Sequence, residues 1–256
     1  MSEILLQRSA PGIATITLNR PHRKNAVAPA MWEELRRLFH AVSQSATDRV
    51  LVITGAGKSF CAGADLAEMA DRTHPLHAMI PVNAAALALH EVTKPIIAKV
   101  NGDAVGAGMN LALGCDLVVA AESARFSQIF ARRGLSVDFG GSWLLPRLVG
   151  MHKAKELALF GDILSAREAE RIGLVNRVVP DDELDAFVEN WAVRLANGAP
   201  LALQMTKKML SNAFSVGLSE ALDAEAAAQS VNLVSEDTKE GVAAFLEKRK
   251  PVFHGR

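Results

Sequence analysis

The sequence predicts an α/β core followed by a region built only from helices. Short runs of β-forming residues alternate with segments of helical periodicity up to about residue 180, and no strand pattern recurs from residue 181 onward. Half of the 256 residues are hydrophobic, which is enough to bury a sizeable core. We therefore predict a core over residues 1–196 and a helical subdomain over residues 197–256.

The first elements follow from local patterns. Residues 4–8 and 13–18 are rich in β-formers and flank a Pro-Gly pair, which predicts a hairpin. Pro29 suits the first position of a helix, and residues 50–54 predict a buried strand. The apolar residues of that helix recur at helical spacing, namely Trp32, Leu35, Phe39 and Val42.

Residues 55–65 predict a loop that leads to Asp65 as the N-cap of a short helix through Met69. The sequence Gly-Lys-Ser in this loop suggests the end of a phosphate-binding P-loop, but Val52 stands where that motif requires glycine. We therefore reject a P-loop. Residues 71–81 are expected to be irregular, and residues 80–92 to form a helix.

Residues 101–116 carry the clearest candidate for a site. A β-rich run at residues 95–100 leads through Gly106-Ala-Gly108 into an apolar helical segment that ends near Gly114. The first N–H groups of a helix have no partner within the helix, so this turn can hold an anion or a developing oxyanion. The alternative is a turn whose glycines serve packing alone.

The rest of the core contains one isolated acid. Residues 117–121 predict a strand, and residues 125–147 contain a single carboxylate, Asp138, which precedes two glycines. Ser165 and Glu168 form a capping box for a helix to Ile172, and residues 174–179 predict a strand. Helices then run to about Lys248.

Composition excludes several functions. Lys plus Arg and Asp plus Glu are each 28, so zero formal charge offers no general attraction to nucleic acid or to a membrane surface. No apolar run reaches the roughly 20 residues that span a bilayer. Cys61 and Cys115 are the only cysteines and form no CxxC, and Pro75 separates His74 from His77, so we expect neither disulfides nor a metal site. We expect a cytoplasmic protein.

Three stretches together carry a family resemblance: SFCAGADL at residues 59–66, NGDAVGAGMN at residues 101–110, and GGSWLLPRLVG at residues 140–150. They resemble the crotonase superfamily, the enoyl-CoA hydratases and isomerases. The resemblance continues through residues 166–175, 200–207 and 240–253, so it covers nearly the whole chain.

The resemblance implies a spiral of ββα repeats with C-terminal helices that build a homotrimer or a dimer of trimers. It implies an acyl-CoA substrate and no separate cofactor, because coenzyme A is part of that substrate. It also implies an oxyanion hole of two backbone N–H groups for the thioester carbonyl. Placed on this chain, the two donors are Ala62 and Ala107.

The chain departs from the family at the expected acids. Typical hydratases carry two glutamates, and the motifs place those positions at Asn110 and Phe130. Neither side chain exchanges protons near neutral pH, so two-glutamate hydration is not expected. Asp138 lies where typical hydratases have glycine, and its surroundings look most like the phenylacetate-pathway branch, whose members isomerise ring-epoxidised phenylacetyl-CoA or shift a double bond. A single acid/base suits that chemistry.

An ordinary aspartate is a weak base toward a carbon acid. We therefore expect Phe130, Val137 and Phe139 to desolvate Asp138 and to raise its pKa. The alternative for Asp138 is a turn or cap aspartate before two glycines.

The resemblance also implies contacts with coenzyme A. Arg23, Lys24 and Lys58 would meet its phosphates, and the first glycine-rich loop, through Ala62, Ala64, Asp65 and Leu66, would meet its pantetheine and adenine. The acyl group would meet Phe130 and Phe139. A neighbouring subunit would supply Phe245 and Lys248. Each basic residue has the alternative of a solvated surface position. Cys61 has no base within its motif, so we interpret it as a structural thiol and not a nucleophile.

Three functions follow from the sequence. The first is an acyl-CoA double-bond isomerase that uses Asp138, and the second is a hydratase that uses Asn110 and Asp138. The third is a non-catalytic acyl-CoA-binding or RNA-binding scaffold. Its basic contacts would be Arg36-Arg37, Arg132-Arg133 and Lys248-Arg249-Lys250. The acid next to two intact glycine loops favours the first.

Overall fold

The computed structural model of the chain describes residues 2–68 and 74–256. The strands in these ranges are β1 Ile4–Ser9, β2 Ile13–Leu18, β3 Val50–Gly55, β4 Ser59–Cys61, β5 Ile96–Val100, β6 Asp103–Val105, β7 Leu117–Ala121, β8 Arg125–Ser127, β9 Leu164–Ser165 and β10 Arg177–Val179. The α-helices are α1 Pro29–Gln44, α2 Pro75–His90, α3 Ala107–Leu113, α4 Gly141–Phe160, α5 Ala166–Arg171, α6 Leu184–Ala196, α7 Pro200–Asn212, α8 Leu218–Val234 and α9 Glu236–Leu246. Helix α4 is interrupted at Gly150, whose φ of 75° and ψ of 162° are not helical.

The core repeats one unit of two strands and a helix. The pairs β3–β4, β5–β6 and β7–β8 each consist of a long strand and a short strand, followed by α2, α3 and α4 respectively. The long strands join a six-stranded sheet of order β1-β2-β3-β5-β7-β10, and the short strands join a four-stranded sheet of order β4-β6-β8-β9. Within the large sheet only β1 and β2 run antiparallel. This is the expected spiral of ββα repeats.

Several predicted elements are confirmed. The hairpin is β1–β2, the helix from Pro29 is α1, and residues 117–121 form β7. The Ser165 hydroxyl accepts the Glu168 N–H at the start of α5, as the capping box predicts. The four predicted core residues of α1, Trp32, Leu35, Phe39 and Val42, are all buried.

Other predictions are wrong in extent. Helix α2 begins at Pro75, inside the stretch that we expected to be irregular, because proline is tolerated in a first helical turn and His74 caps the end by accepting the Leu76 N–H. Residues 71–73 of that stretch, and Met69 of the predicted short helix, lie outside the described residues. What is described of that helix is a 3-10 turn at Leu66–Glu68, capped as expected by Asp65, which accepts the Ala67 N–H.

The last three helices pack differently from the core. Helix α6 packs on strands β3, β5 and β7, whereas α7, α8 and α9 contact one another. Lys207 of α7 ties this group to the core, with its Nζ 2.7 Å from Asp116 Oδ2 and 2.9 Å from the Lys94 carbonyl. Large apolar side chains on these helices and in the turn between α7 and α8 are exposed, including Leu210, Phe214, Leu218, Leu233, Val234 and Phe245. In the described ranges, no helix combines the length and hydropathy needed to cross a membrane.

Candidate active site

The turn between β6 and α3 supplies one free backbone donor. Gly106 adopts a φ of 56° and a ψ of −127°, and its own N–H donates to the Ser127 carbonyl at 2.8 Å. Ala107 is the first residue of α3, so its N–H has no partner within the helix. The described residues offer it no other acceptor within bonding distance. The predicted strand, glycine turn and helix are therefore confirmed.

The second predicted donor is corrected by the structure. The Ala62 N–H donates to the Lys24 carbonyl at 3.0 Å, and the Asp65 N–H donates to the Val27 carbonyl at 2.9 Å. Gly63, at a φ of 95°, breaks the alternation of an extended chain, so both of these groups face the same neighbouring segment. The Ala64 N–H between them has no acceptor among the described residues. The same holds for the Gly63 N–H, so this loop offers free N–H groups at Gly63 and Ala64 and not at Ala62.

The two loops lie against each other. A Cβ built on Gly63 would lie 2.9 Å from the Val105 carbonyl oxygen and 3.5 Å from the Ala107 nitrogen. One built on Gly108 would lie 2.2 Å from the Cys61 carbonyl oxygen, so α3 docks on the end of β4 with no room for a side chain. The free N–H groups of Ala64 and Ala107 thus border one small region, where they can stabilise a negatively charged oxygen.

Asp138 lies in the segment between a 3-10 helix at Ile129–Arg133 and α4. Its side chain is half-buried, and its Oδ1 is buried without a hydrogen-bond partner among the described residues. Burial raises the pKa of Asp138 from its ordinary value of 3.8 to about 6. The expected direction of this pKa change is confirmed, and it makes the carboxylate a better base near neutral pH.

Asn110 holds the backbone of Asp138. Its Nδ2 donates to the Asp138 carbonyl oxygen at 2.8 Å, and its Oδ1 accepts from Gln128 Nε2 at 2.7 Å. The Asn110 side chain is 0 % exposed, so it cannot reach a substrate or a reacting water in this structure. The expectation that Asn110 takes part in catalysis stays a prediction, and its burial argues against direct contact with a substrate. It nevertheless ties the backbone of Asp138 to α3, on which Ala107 lies about one turn before Asn110.

Phe130 and Phe139 take different places. A Cβ built on Gly106 would lie 3.6 Å from Phe130 Cζ, so this ring covers the α3 turn as an apolar wall. Phe139 is buried in the core with its ring centroid 5.3 Å from that of Trp32. Its φ of 46° is unusual for a large side chain and turns the ring inward beside Asp138. Phe139 also borders a pocket between α2 and α4, so the expectation that it contacts substrate stays a prediction.

The residues predicted to contact coenzyme A on and near the first loop differ in their exposure. Asp65 is buried, with its Oδ2 3.1 Å from Arg20 Nη1, so its carboxylate serves the fold and does not face a ligand. Leu66 is exposed beside it. Arg23, Lys24 and Lys58 are exposed. The backbone carbonyl of Lys24 accepts the Ala62 N–H of this loop, and Lys24 Nζ lies 3.6 Å from Asp103 Oδ2.

The C-terminal candidates lie elsewhere on the chain. Phe245 is 81 % exposed and lines a groove between α7 and α9 together with Leu201 and Phe253. Lys248 follows α9 and is also exposed. No residue of the glycine-rich loops or of the Asp138 segment lines that groove, so Phe245 and Asp138 do not share it within one chain.

Two other expectations can be compared with the structure. Cys61 is fully buried, and burial raises the pKa of its thiol to about 12, so it is a structural thiol as we interpreted it. Arginines of all three short basic clusters have carboxylate partners: Arg36 pairs with Glu33, Arg37 with Glu34, Arg132 with Asp162, and Arg249 with Glu240. This neutralisation weakens the RNA-binding hypothesis. Within residues 2–68 and 74–256, no group of three metal-ligating side chains converges.

Gln128 is the site residue that sequence reasoning missed. It follows β8 and is buried, which the three residues of that strand, Arg-Phe-Ser, did not indicate. A buried amide that faces Asn110 becomes visible only when β6, β8 and α3 are assembled, because 18 positions separate the two side chains in the sequence.

Comparison with known proteins agrees with this geometry. The sequence model of one protein family, described as Enoyl-CoA hydratase/isomerase, matches residues 8–256. The chain is 43% identical over 251 residues to a protein of Rhodobacter capsulatus named probable enoyl-CoA hydratase, covering 96% of this chain and 95% of that protein. It is 40% identical to the 1,2-epoxyphenylacetyl-CoA isomerase of Escherichia coli, covering 100% of both chains. The crystal structure of an enoyl-CoA hydratase from Bacillus anthracis superimposes with a TM-score of 0.96 at 35% identity, over 100% of both chains.

Proposed function

This chain belongs to the enoyl-CoA hydratase/isomerase family, and from that premise we propose that it is an acyl-CoA isomerase whose acid/base is Asp138. The N–H groups of Ala64 and Ala107 would hold the thioester oxygen of the substrate. The substrate would be a β,γ-unsaturated acyl-CoA or a ring-epoxidised phenylacetyl-CoA.

The proton transfer balances with one carboxylate. Asp138 takes a proton from C2 of a β,γ-enoyl thioester, and the electron pair moves onto the thioester oxygen as a dienolate. The two N–H groups stabilise the charge on that oxygen, each contributing about 10²- to 10³-fold in rate. Neutral Asp138 then returns the proton to C4, and the double bond ends between C2 and C3. No water is consumed.

The observation that carries this proposal is the state of Asp138. Its carboxylate has neither an ion pair nor a hydrogen bond among the described residues, and its pKa of about 6 lets it exchange a proton near neutral pH. An aspartate that served only as a turn or cap residue would bond its side chain to nearby backbone N–H groups. Here the backbone carbonyl of Asp138 makes those contacts instead, with Gly141 and Asn110.

Hydration of a 2-enoyl-CoA is the competing function. It is favoured by relatives such as the Rhodobacter capsulatus protein, whose name is that of a hydratase. The burial of Asn110 argues against hydration. A hydratase would use Asn110 together with Asp138 to add water, but the Asn110 side chain is not accessible to solvent. Asp138 alone would have to activate the water and also protonate the substrate carbon, so we place isomerisation first.

Two assays separate the functions. Incubation with trans-3-hexenoyl-CoA should produce the absorbance of a conjugated thioester, and in D₂O part of the original C2 hydrogen should appear at C4. Crotonyl-CoA should lose its conjugated absorbance slowly or not at all. Rapid loss with crotonyl-CoA and no reaction with 3-hexenoyl-CoA would make the protein a hydratase.

The coenzyme A contacts and the assembly belong to the same proposal. Arg23, Lys24 and Lys58 would meet the coenzyme A phosphates, and Phe245 and Lys248 would approach the coenzyme A of a neighbouring subunit in a trimer or a dimer of trimers. The exposed apolar side chains of α7, α8 and α9 support self-association, since monomers seldom expose such a surface.

A further inference from the structure

A chain of two hydrogen bonds connects Gln128 to the backbone of Asp138. Gln128 Nε2 donates to Asn110 Oδ1 at 2.7 Å, and Asn110 Nδ2 donates to the Asp138 carbonyl oxygen at 2.8 Å. Both amide side chains are fully buried. They therefore act inside the protein and not on a substrate.

The orientation of both side-chain amides follows from which atoms can donate and which can accept a hydrogen bond. A carbonyl oxygen only accepts, so the Asn110 amide must turn its Nδ2 toward Asp138. Its Oδ1 then faces Gln128, which must present Nε2. The Gln128 Oε1 is left buried without a partner among the described residues. The Gln128 donor and the Asp138 carbonyl therefore hold the Asn110 amide in one orientation from its two ends, and loss of the Gln128 donor would leave only one of these two contacts.

The backbone near Asp138 has little freedom to adjust. Its carbonyl also accepts the Gly141 N–H at 2.9 Å, and Phe139 is held at a φ of 46°. A Cβ on Gly141 would lie 2.4 Å from Asn110 Nδ2 and 2.6 Å from Val137 Cγ1. The segment is therefore packed directly on Asn110.

The Asp138 carboxylate has no side-chain partner of its own among the described residues. Its position must therefore be determined through its backbone. We propose that Gln128 is a positioning residue for Asp138, and that it acts by fixing the orientation of Asn110. This inference rests on the proposed function, in which Asp138 transfers the proton.

The test compares single and double variants with a matched control. Gln128→Met removes the donor at similar size, and Asn110→Leu removes the contact with the Asp138 carbonyl. Ser127→Ala is the control, because the adjacent Ser127 is also buried and loses one hydrogen bond, from its Oγ to the Gly161 carbonyl at 2.9 Å, that does not lead to Asp138. All variants are assayed for 3-hexenoyl-CoA isomerisation with separate kcat and KM.

We expect Gln128→Met and Asn110→Leu each to lower kcat about 10- to 100-fold, as a misplaced catalytic group does, with KM changed less than about twofold. The double variant should be no slower than the slower single variant, because the two residues act in series. In an Asp138→Asn background, Gln128→Met should lower the residual rate no further. Ser127→Ala should resemble the wild type.

Three results would overturn the inference: a Gln128→Met kcat within about twofold of wild type, single effects that multiply in the double variant, or an equal loss in Ser127→Ala. If the wild type turns over no acyl-CoA, the proposed function fails by itself. Crystal structures of wild type and Gln128→Met then decide the inference, because positioning requires the Asp138 carboxylate to move by about 1 Å or more, and an unmoved carboxylate contradicts it.

Discussion

Replacing Asp138 by asparagine should make the protein slower and more stable at the same time. The substitution keeps the shape of the side chain but removes the group that exchanges the proton. Loss of a general base typically lowers the rate by about 10²- to 10⁴-fold. The gain in stability follows from the same burial that raises the pKa of Asp138.

The magnitude and its pH dependence can be worked from the pKa. The folded protein holds the Asp138 proton up to about pH 6, whereas an unfolded chain releases it near 3.8. The folded state therefore binds more protons between these values, and its stability falls as pH rises through that window. The difference corresponds to at most about 3 kcal/mol above pH 6 and to nothing below pH 3.8. Asparagine does not titrate, so the variant escapes this loss.

The assay follows thermal unfolding and isomerase activity of both proteins between pH 4 and pH 8. The variant should gain melting temperature over the wild type as pH rises, by about 2 to 4 °C for each kcal/mol in a chain of this size. Wild-type kcat/KM should rise about tenfold per pH unit below pH 6 and level off above it. A variant with near wild-type turnover refutes the proton shuttle. A stability difference that does not change between pH 4 and pH 7 refutes the buried-charge argument.

Gly63→Ala should disturb both donor loops, because the new Cβ would approach the Val105 carbonyl oxygen at 2.9 Å. We expect kcat to fall at least about tenfold. The control variant Gly173→Ala also has a positive φ, 77°, but open space around the new Cβ, so it should keep its activity. Arg20→Met should leave the Asp65 carboxylate buried without its cation, so the free energy of unfolding in urea should fall by about 3 kcal/mol. The control Arg36→Met, at an exposed ion pair, should not show this loss. Sedimentation equilibrium should give three or six times the mass of one chain, and the mass of a single chain would contradict the proposed assembly.

The long strands and the capped helices could be predicted because their signals are local. Residues 117–121 form β7 as expected, and the Ser165 cap begins α5. The short strands of the second sheet could not be found in this way, since β4, β6 and β8 have only three residues each and show no period. These strands are defined by their hydrogen-bonded pairing with one another, which a sequence period does not reveal.

The position of the first donor shows the same limit at the site. The motif at residues 59–66 indicated a glycine-rich loop with free N–H groups, but it could not tell which of them is free. That choice depends on residues 24–27, which run beside the loop and occupy the N–H groups of Ala62 and Asp65. The N–H groups of Gly63 and Ala64 remain, because Gly63 turns the chain between the two occupied groups.

Asp138 and Asn110 show how far residue type alone can lead. Asp138 could be predicted because a carboxylate among apolar residues has few structural uses, and its burial agrees with that argument. Asn110 was expected to act on the substrate only because of the position it occupies in the motif. Its burial and its two hydrogen bonds give it a different task, since an amide that both donates and accepts can connect Gln128 to the Asp138 carbonyl. A glutamate at position 110 would, when ionised, repel that carbonyl, so the asparagine that removes one acid from the site also allows the segment with the other acid to dock.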